Sequence, residues 1–232
     1  MSMRVSSGNA ELDRLIGGGF GRSDMILLVG RPGTGKTIFS TKFIYEGALK
    51  YGEPGVYACF AETKAKFIDY QKSFGIELES LVSEGRIAVL DLSIATEVDI
   101  QSSLNRIMES IVLLRAKRLV IDSLTAMTAG IKSPLEKRHL IHLLYRMIQK
   151  SGCTSIVITD MPYGSKKLGE GLEEFISDGI IFMQNRFLKD GSVERRVRIL
   201  KMRGVNHSLK AYTYTICDKG IVINIEEPAR RS

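Results

Sequence analysis

Five short apolar runs divide the first two-thirds of the chain: Met25–Val29, Val56–Phe60, Ile87–Leu90, Leu119–Ile121 and Ser155–Thr159. Each is too short for a helix and apolar almost throughout, as in a strand covered on both faces. The stretches between them are compatible with helix, most clearly Thr37–Lys50, Glu97–Arg115 and Pro134–Lys150. In the last, Leu140, Leu143, Leu144, Met147 and Ile148 recur at helical spacing. Strands alternating with helices predict βαβ crossovers and a mostly parallel sheet. After about Ser177 the pattern changes. Ile180–Asn185, Val193–Lys201, Ala211–Cys217 and Ile221–Ile225 read as strands joined by turns at Lys189-Asp190-Gly191 and Asp218-Lys219-Gly220. The expectation is an α/β fold with an antiparallel β extension at its C-terminal end.

Composition changes this picture little. The chain has 232 residues, 44% of them hydrophobic and 25% charged, which suits one α/β domain spanning 1–232. No apolar run reaches about 18 residues, so no membrane span is expected. Met1 to Ser7 lacks the apolar core of a secretory signal. Cys59, Cys153 and Cys217 are far apart and odd in number. Disulfides and a zinc site are not expected, and a cytoplasmic setting fits. Charge adds one local feature. Of the residues between Gln184 and Lys210, eight are basic (Arg186, Lys189, Arg195, Arg196, Arg198, Lys201, Arg203, Lys210) and two acidic. Such a stripe suits nucleic acid, an acidic partner or a neighbour's bound nucleotide; equally, it suits a solvated β-surface kept from aggregating by charge.

The chemistry is concentrated at Gly30-Arg31-Pro32-Gly33-Thr34-Gly35-Lys36-Thr37. This stretch matches G-x-x-x-x-G-K-[ST] at every fixed position, with a strand-like run before it and a helix-like run after it. The glycines let backbone N–H groups close around phosphate oxygens. The helix start adds unpaired donors and a positive dipole end. Lys36 is the point charge for the terminal phosphates, and the Thr37 hydroxyl is the expected Mg²⁺ ligand. A second magnesium-ordering group is expected at the end of another strand. Leu119-Val120-Ile121-Asp122 supplies it, and the alternative for Asp122 is a turn or cap residue. Ser123 either polarises the attacking water or caps the next segment. Glu62 follows the run Val56–Phe60 and is either the carboxylate that orients water or an exposed first-turn glutamate.

Six segments together give the chain a resemblance. Ser7-Gly8 followed by Glu11-Leu12-Asp13-Arg14-Leu15-Ile16-Gly17-Gly18-Gly19-Phe20 is similar to an opening G-x-x-x-L-D-x-x-L-G-G-G. The phosphate loop, Phe60-Ala61-Glu62-Thr63 and Asp122-Ser123 come next. Gly171-Leu172-Glu173-Glu174-Phe175-Ile176-Ser177-Asp178 resembles G-x-E-E-F-[VI]-[SA]-D. Lys201-Met202-Arg203-Gly204-Val205-Asn206-His207 resembles K-x-R-G-x-x-H. In order and spacing the chain resembles a single KaiC-type domain of the RecA superfamily along nearly its whole length. The resemblance implies a RecA-like P-loop core, bound ATP with Mg²⁺, and ATP hydrolysis. It implies a ring, six subunits in the family. It assigns Gly30, Arg31, Pro32, Gly33, Thr34, Gly35, Lys36, Thr37 and Ile38 to the nucleotide. It also implies that Lys201 and Arg203, with His207 nearby, reach a neighbour's nucleotide as an arginine finger does.

Two departures matter. The family's adjacent Glu-Glu pair is here Ala61-Glu62, which leaves one carboxylate to turn over ATP. The positions of the clock phosphosites are Glu174 and Phe175, so the chain looks like the ATPase-type half. Three readings compete: a slowly hydrolysing ring protein that signals its nucleotide state to a protein partner, a RecA-type accessory factor on DNA, and a non-hydrolysing ATP sensor. For DNA speak the basic balance and Lys166-Lys167 in the short stretch Met161–Gly171; against it, no separate N-terminal DNA-binding domain is recognisable.

Overall fold

The computed structural model describes residues 4–93, 100–162, 164 and 173–228. Among the described residues nine strands form one sheet: β1 Met25–Gly30, β2 Gly55–Cys59, β3 Ile87–Asp91, β4 Arg118–Asp122, β5 Thr154–Asp160, β6 Gly179–Phe187, β7 Val193–Met202, β8 Ala211–Cys217 and β9 Gly220–Pro228. Their spatial order is β3-β2-β4-β5-β1-β6-β7-β8-β9. The first six are mutually parallel, and β6 through β9 pair antiparallel. The helices are α1 Ala10–Leu15, α2 Lys36–Tyr51, α3 Lys64–Lys72, α4 Leu78–Ser83, α5 Ile100–Leu114, α6 Leu124–Met127, α7 Pro134–Ser151 and α8 Glu173–Ile176. The α/β class, the mostly parallel sheet and the antiparallel extension read from the sequence are all present. The start of the expected helix Glu97–Arg115, and Lys166-Lys167, lie outside the described residues.

The central strands are apolar throughout because they feed two cores. Along β1, Ile26 and Leu28 pack with α1, α2, α3 and α4; Met25, Leu27 and Val29 pack with α5, α6 and α7. In β2, Tyr57 and Cys59 face the first core, Val56 and Ala58 the second. Period-2 side-chain direction between two helical layers turns an alternating strand into a continuous apolar one. The antiparallel strands extend the first core: Val197, Ile199, Tyr214 and Ile223 join it.

The opening glycine-rich motif has a structural use. Asn9 caps α1, its side chain accepting from Leu12 N–H at 2.9 Å and donating to Ile221 O at 2.8 Å. Asp13 accepts from the Ser6 hydroxyl and the Ser7 N–H, and Val5 pairs with Phe20. The N-terminal segment is thereby tied to both α1 and β9. Beneath it Arg118 is fully buried at the start of β4. Its guanidinium donates to Ser6 O (2.9 Å), Phe43 O (2.7 Å) and Glu53 Oε2 (2.8 Å), and stacks 4.6 Å from the Phe43 ring centroid. A buried charge with an anion and several acceptors tolerates its desolvation; one stripped of them does not.

Arg118 also accounts for a glycine inside a helix. A Cβ on Gly47, in α2, would overlap the Arg118 guanidinium. Helix propensity alone favours Ala over Gly by about 1 kcal/mol. Overpacking costs about 1–3 kcal/mol and displaces a buried cation from its acceptors. Gly47→Ala should therefore lower the urea midpoint of unfolding. A raised midpoint would contradict this packing account.

Candidate active site

Ligands of open α/β sheets bind at the carboxyl ends of the strands. Here the ends of β1, β2, β4 and β5 bring together Lys36, Thr37, Glu62, Asp122, Ser123 and Asp160. The loop after β1 curves through Gly33 and Gly35, with φ of 78° and 87°, values that favour glycine. Gly35 is the N-cap of α2, and no side chain caps that helix. Among the described residues no hydrogen bond occupies the N–H groups of Gly33, Thr34 and Gly35. Uncapped donors at a helix start, in a glycine-rich loop, fit an anion the size of a phosphate.

The loop is braced from both sides. Thr34 Oγ1 donates to Arg31 O at 2.8 Å, and Tyr214 of β8 donates its hydroxyl to Thr34 O at 2.5 Å. Burial pushes the Tyr214 hydroxyl above its usual range, which keeps it a donor. Ile216 and Ile221 pack beside Gly35. Ile38 is buried on α2 in the first core. Two polar atoms on the paired residues Asn185 and Arg195, namely Asn185 Oδ1 and Arg195 Nε, are buried without a hydrogen bond. Asn185 lies 4.0 Å from where a Gly33 Cβ would be.

Lys36 is buried, and its ammonium donates to Gly30 O (2.8 Å) and Arg31 O (3.0 Å), with Asp160 Oδ1 at 3.0 Å. Thr37 Oγ1 donates to Asp122 Oδ2 at 2.9 Å, and the same oxygen accepts the Tyr57 hydroxyl at 2.6 Å. Burial raises the Asp122 carboxyl; the Tyr57 and Thr37 hydroxyls oppose this, and Asp160 adds to it. Thr37 and Asp122 are hard oxygen donors side by side, which suits Mg²⁺. Among the described residues no group of three His, Cys, Asp or Glu side chains forms a metal cage.

Glu62 lies in the bend between β2 and α3 and is half-buried, while Ala61 is exposed. Its carboxyl is raised by burial and then by the Asp122 charge; two residues earlier, Phe60 N–H donates to Asp122 O at 2.7 Å. Of the two roles expected of Ser123, the cap is the one the geometry displays. Its hydroxyl accepts from Ala126 N–H at 3.1 Å, capping α6, and donates to Asp160 Oδ2 at 2.8 Å. Nothing in the sequence pattern singles out Tyr57 or Asp160. Their importance depends on strand order, which sets β2 beside β4 and β5 beside β1.

Lys201, Arg203 and His207 are not in this cluster. Lys201 pairs with Ile180, and Arg203 N–H donates to Asp178 O, at the amino end of β6 and β1. Met25 to Gly30 spans about 17 Å at 3.3 Å per residue, so Arg203 and the phosphate loop sit at opposite ends of the sheet. A register shift after Ile180 marks a bulge near Leu200 that re-aims the end of β7. Lys201 Nζ donates to Glu174 O (3.1 Å), Phe175 O (3.2 Å) and Ser177 O (2.6 Å). Arg203 donates to Phe175 O (3.1 Å) and Asp178 Oδ1 (2.9 Å), and its side chain is 51% exposed. Both side chains donate to the Phe175 carbonyl. His207 Nδ1 lies 3.2 Å from Ser208 O in the loop that follows.

Comparison with known proteins agrees with this arrangement. A family model described as "ATPase: KaiC" matches residues 5–228. The chain is 34% identical to a UPF0273 protein of Pyrococcus horikoshii, over 100% of this chain and 98% of that protein. A UPF0273 protein of Thermotoga maritima is 33% identical, over 96% of each. The circadian clock oscillator protein KaiC of Synechococcus elongatus is 35% identical over 91% of this chain, which spans 42% of that protein. The crystal structure of a KaiC-like protein from Pyrococcus horikoshii superposes with a TM-score of 0.88 at 36% identity, covering 97% of this chain and 100% of that one. With a phosphate loop on a RecA-like core and a family match along nearly its entire length, this chain belongs to the KaiC ATPase family.

Proposed function

We propose that this chain binds ATP with Mg²⁺, hydrolyses it slowly as a cytoplasmic ring, and signals its nucleotide state to a protein partner. The observation that carries the reading is the convergence of Lys36, Thr37 and Asp122 on one loop of unbonded N–H groups, with Glu62 two residues beyond Phe60, whose N–H donates to Asp122 O. The loop amides and Lys36 hold the phosphates. Thr37 and Asp122 would hold Mg²⁺, which when bound supplies charge neutralisation at the phosphate oxygens. The Tyr57 hydroxyl fixes Asp122 from the dry side. Glu62 accepts the proton of the attacking water, a role its raised carboxyl favours.

Lys201 and Arg203 do not reach the phosphate loop of their own chain, because they lie at the far end of the sheet. That separation supports delivery in trans, with His207 close by, across head-to-tail interfaces that close into a ring, six subunits by analogy with the family. The DNA reading is weaker. Arg196 pairs with Glu194, while Lys201 and Arg203 are drawn onto the α8 carbonyls, so the basic run is not one continuous face.

Two variants test binding and turnover separately. Lys36→Ala removes a charge-assisted phosphate contact of a class worth about 1.5–3 kcal/mol. ATP affinity measured by calorimetry should fall by more than about tenfold; unchanged affinity would sink the site assignment. Glu62→Gln keeps shape and loses the base. ATP should still bind, while phosphate release falls by about 10²-fold or more. If release persists unchanged, Glu62 is not the water-orienting group. If wild-type protein releases none, the chain is an ATP sensor that does not turn over.

A further inference from the structure

An ammonium has three N–H donors. Two of the Lys36 donors are committed to the carbonyls of Gly30 and Arg31, which fixes the head group against its own loop. The third meets Asp160 Oδ1 at 3.0 Å. Asp160 ends β5, directly opposite Gly30 in the sheet register. Its place is set at several atoms. Oδ2 accepts the Ser123 hydroxyl at 2.8 Å, and its N–H donates to Thr125 Oγ1 at 2.8 Å. The carboxylate is 38% exposed beside a Lys36 that is 7% exposed, so it stands at the mouth of the loop with the lysine behind it.

Lys36 must give a donor to the terminal phosphate. The two carbonyl contacts belong to the loop itself, so the donor available for exchange is the one now on Asp160. The carboxylate occupies, relative to Lys36, the position of a phosphate oxygen. A diphosphate leaves that position open and is compatible with the Lys36–Asp160 pair. A triphosphate places a second anion there, and like charges at one site repel. Ser123 holds Asp160 close by even after Lys36 is taken from it.

We propose that Asp160 holds the place of the terminal phosphate against Lys36, and so sets how strongly the site prefers a nucleoside triphosphate over a diphosphate. This rests on the ATP-site reading given above. Asp160 narrows that preference, and loss of the terminal phosphate returns Lys36 to its carboxylate.

The test is calorimetric titration of ADP and of a β,γ-imido analogue of ATP, with Mg²⁺ and with EDTA. Wild type, Asp160→Asn and Asp160→Glu are compared. Asp160→Asn is nearly isosteric and removes the charge; a thermal melt checks that it is folded. It should tighten the triphosphate analogue by about tenfold, with a much smaller change for ADP. The gain should be larger in EDTA, where no metal shields the repulsion. Asp160→Glu retains the charge and should keep the wild-type ratio of affinities. If wild type binds both nucleotides and Asp160→Asn shifts them equally, or weakens the triphosphate, the inference is overturned while the ATP site stands. If wild type binds neither, the ATP-site reading falls and this inference with it.

Discussion

Strand β1 is the member on which the arrangement depends. It is hydrogen-bonded in parallel to β5 on one side and β6 on the other, and every one of its residues is buried. Its carboxyl end runs straight into the phosphate loop. At its amino end, Met25 N–H donates to Asp178 Oδ2 at 3.0 Å, while Asp178 Oδ1 accepts from Arg203. One rigid strand thus fixes the phosphate-binding loop and the basic pair about 17 Å apart. No side-chain rotation closes that gap, and moving β7 would unzip its ladder with β6. The proposal that a second chain completes the site follows from this separation more than from the charge of the basic stripe.

Three acids stand at the carboxyl edge of the sheet, and their environments differ. Asp122 is buried and tied by two hydroxyls. Asp160 is held by Ser123 and faces the loop mouth. Glu62 is half-buried, and burial and then the Asp122 charge raise its carboxyl. These settings suit three different tasks: ordering a cation, opposing an anion, and taking a proton. Ala61 carries no carboxylate, which leaves the last task to Glu62 alone.

Much of the architecture is legible in the chain because its signals are local. A strand covered by two cores must be apolar throughout, and a phosphate loop must carry glycines where φ is positive. Five central strands, three long helices, the hairpins and the loop follow from such rules. The short helices α1, α3, α4 and α8 carry too few turns to register a period. Tyr57 and Asp160 are invisible for a different reason. A tyrosine within β2 reads as core, and an aspartate ending β5 reads as a turn residue, until strand order sets them against Asp122 and Lys36. The basic stripe misleads in the opposite direction. As a run of charge it suggests one surface, yet pairing with Glu194 and the α8 carbonyls divides it.

The central claim, that a complete site needs two chains, is tested most directly by mixing two inactive variants. Arg203→Ala keeps the loop and loses the finger; Lys36→Ala loses the loop charge and keeps the finger. Phosphate release is measured for each alone and for the mixture, with subunit exchange followed by a fluorescent label on one variant. The account predicts that release reappears on mixing, because some interfaces then join an intact Lys36 to an intact Arg203. A mixture that exchanges subunits yet stays as inactive as its components would contradict it.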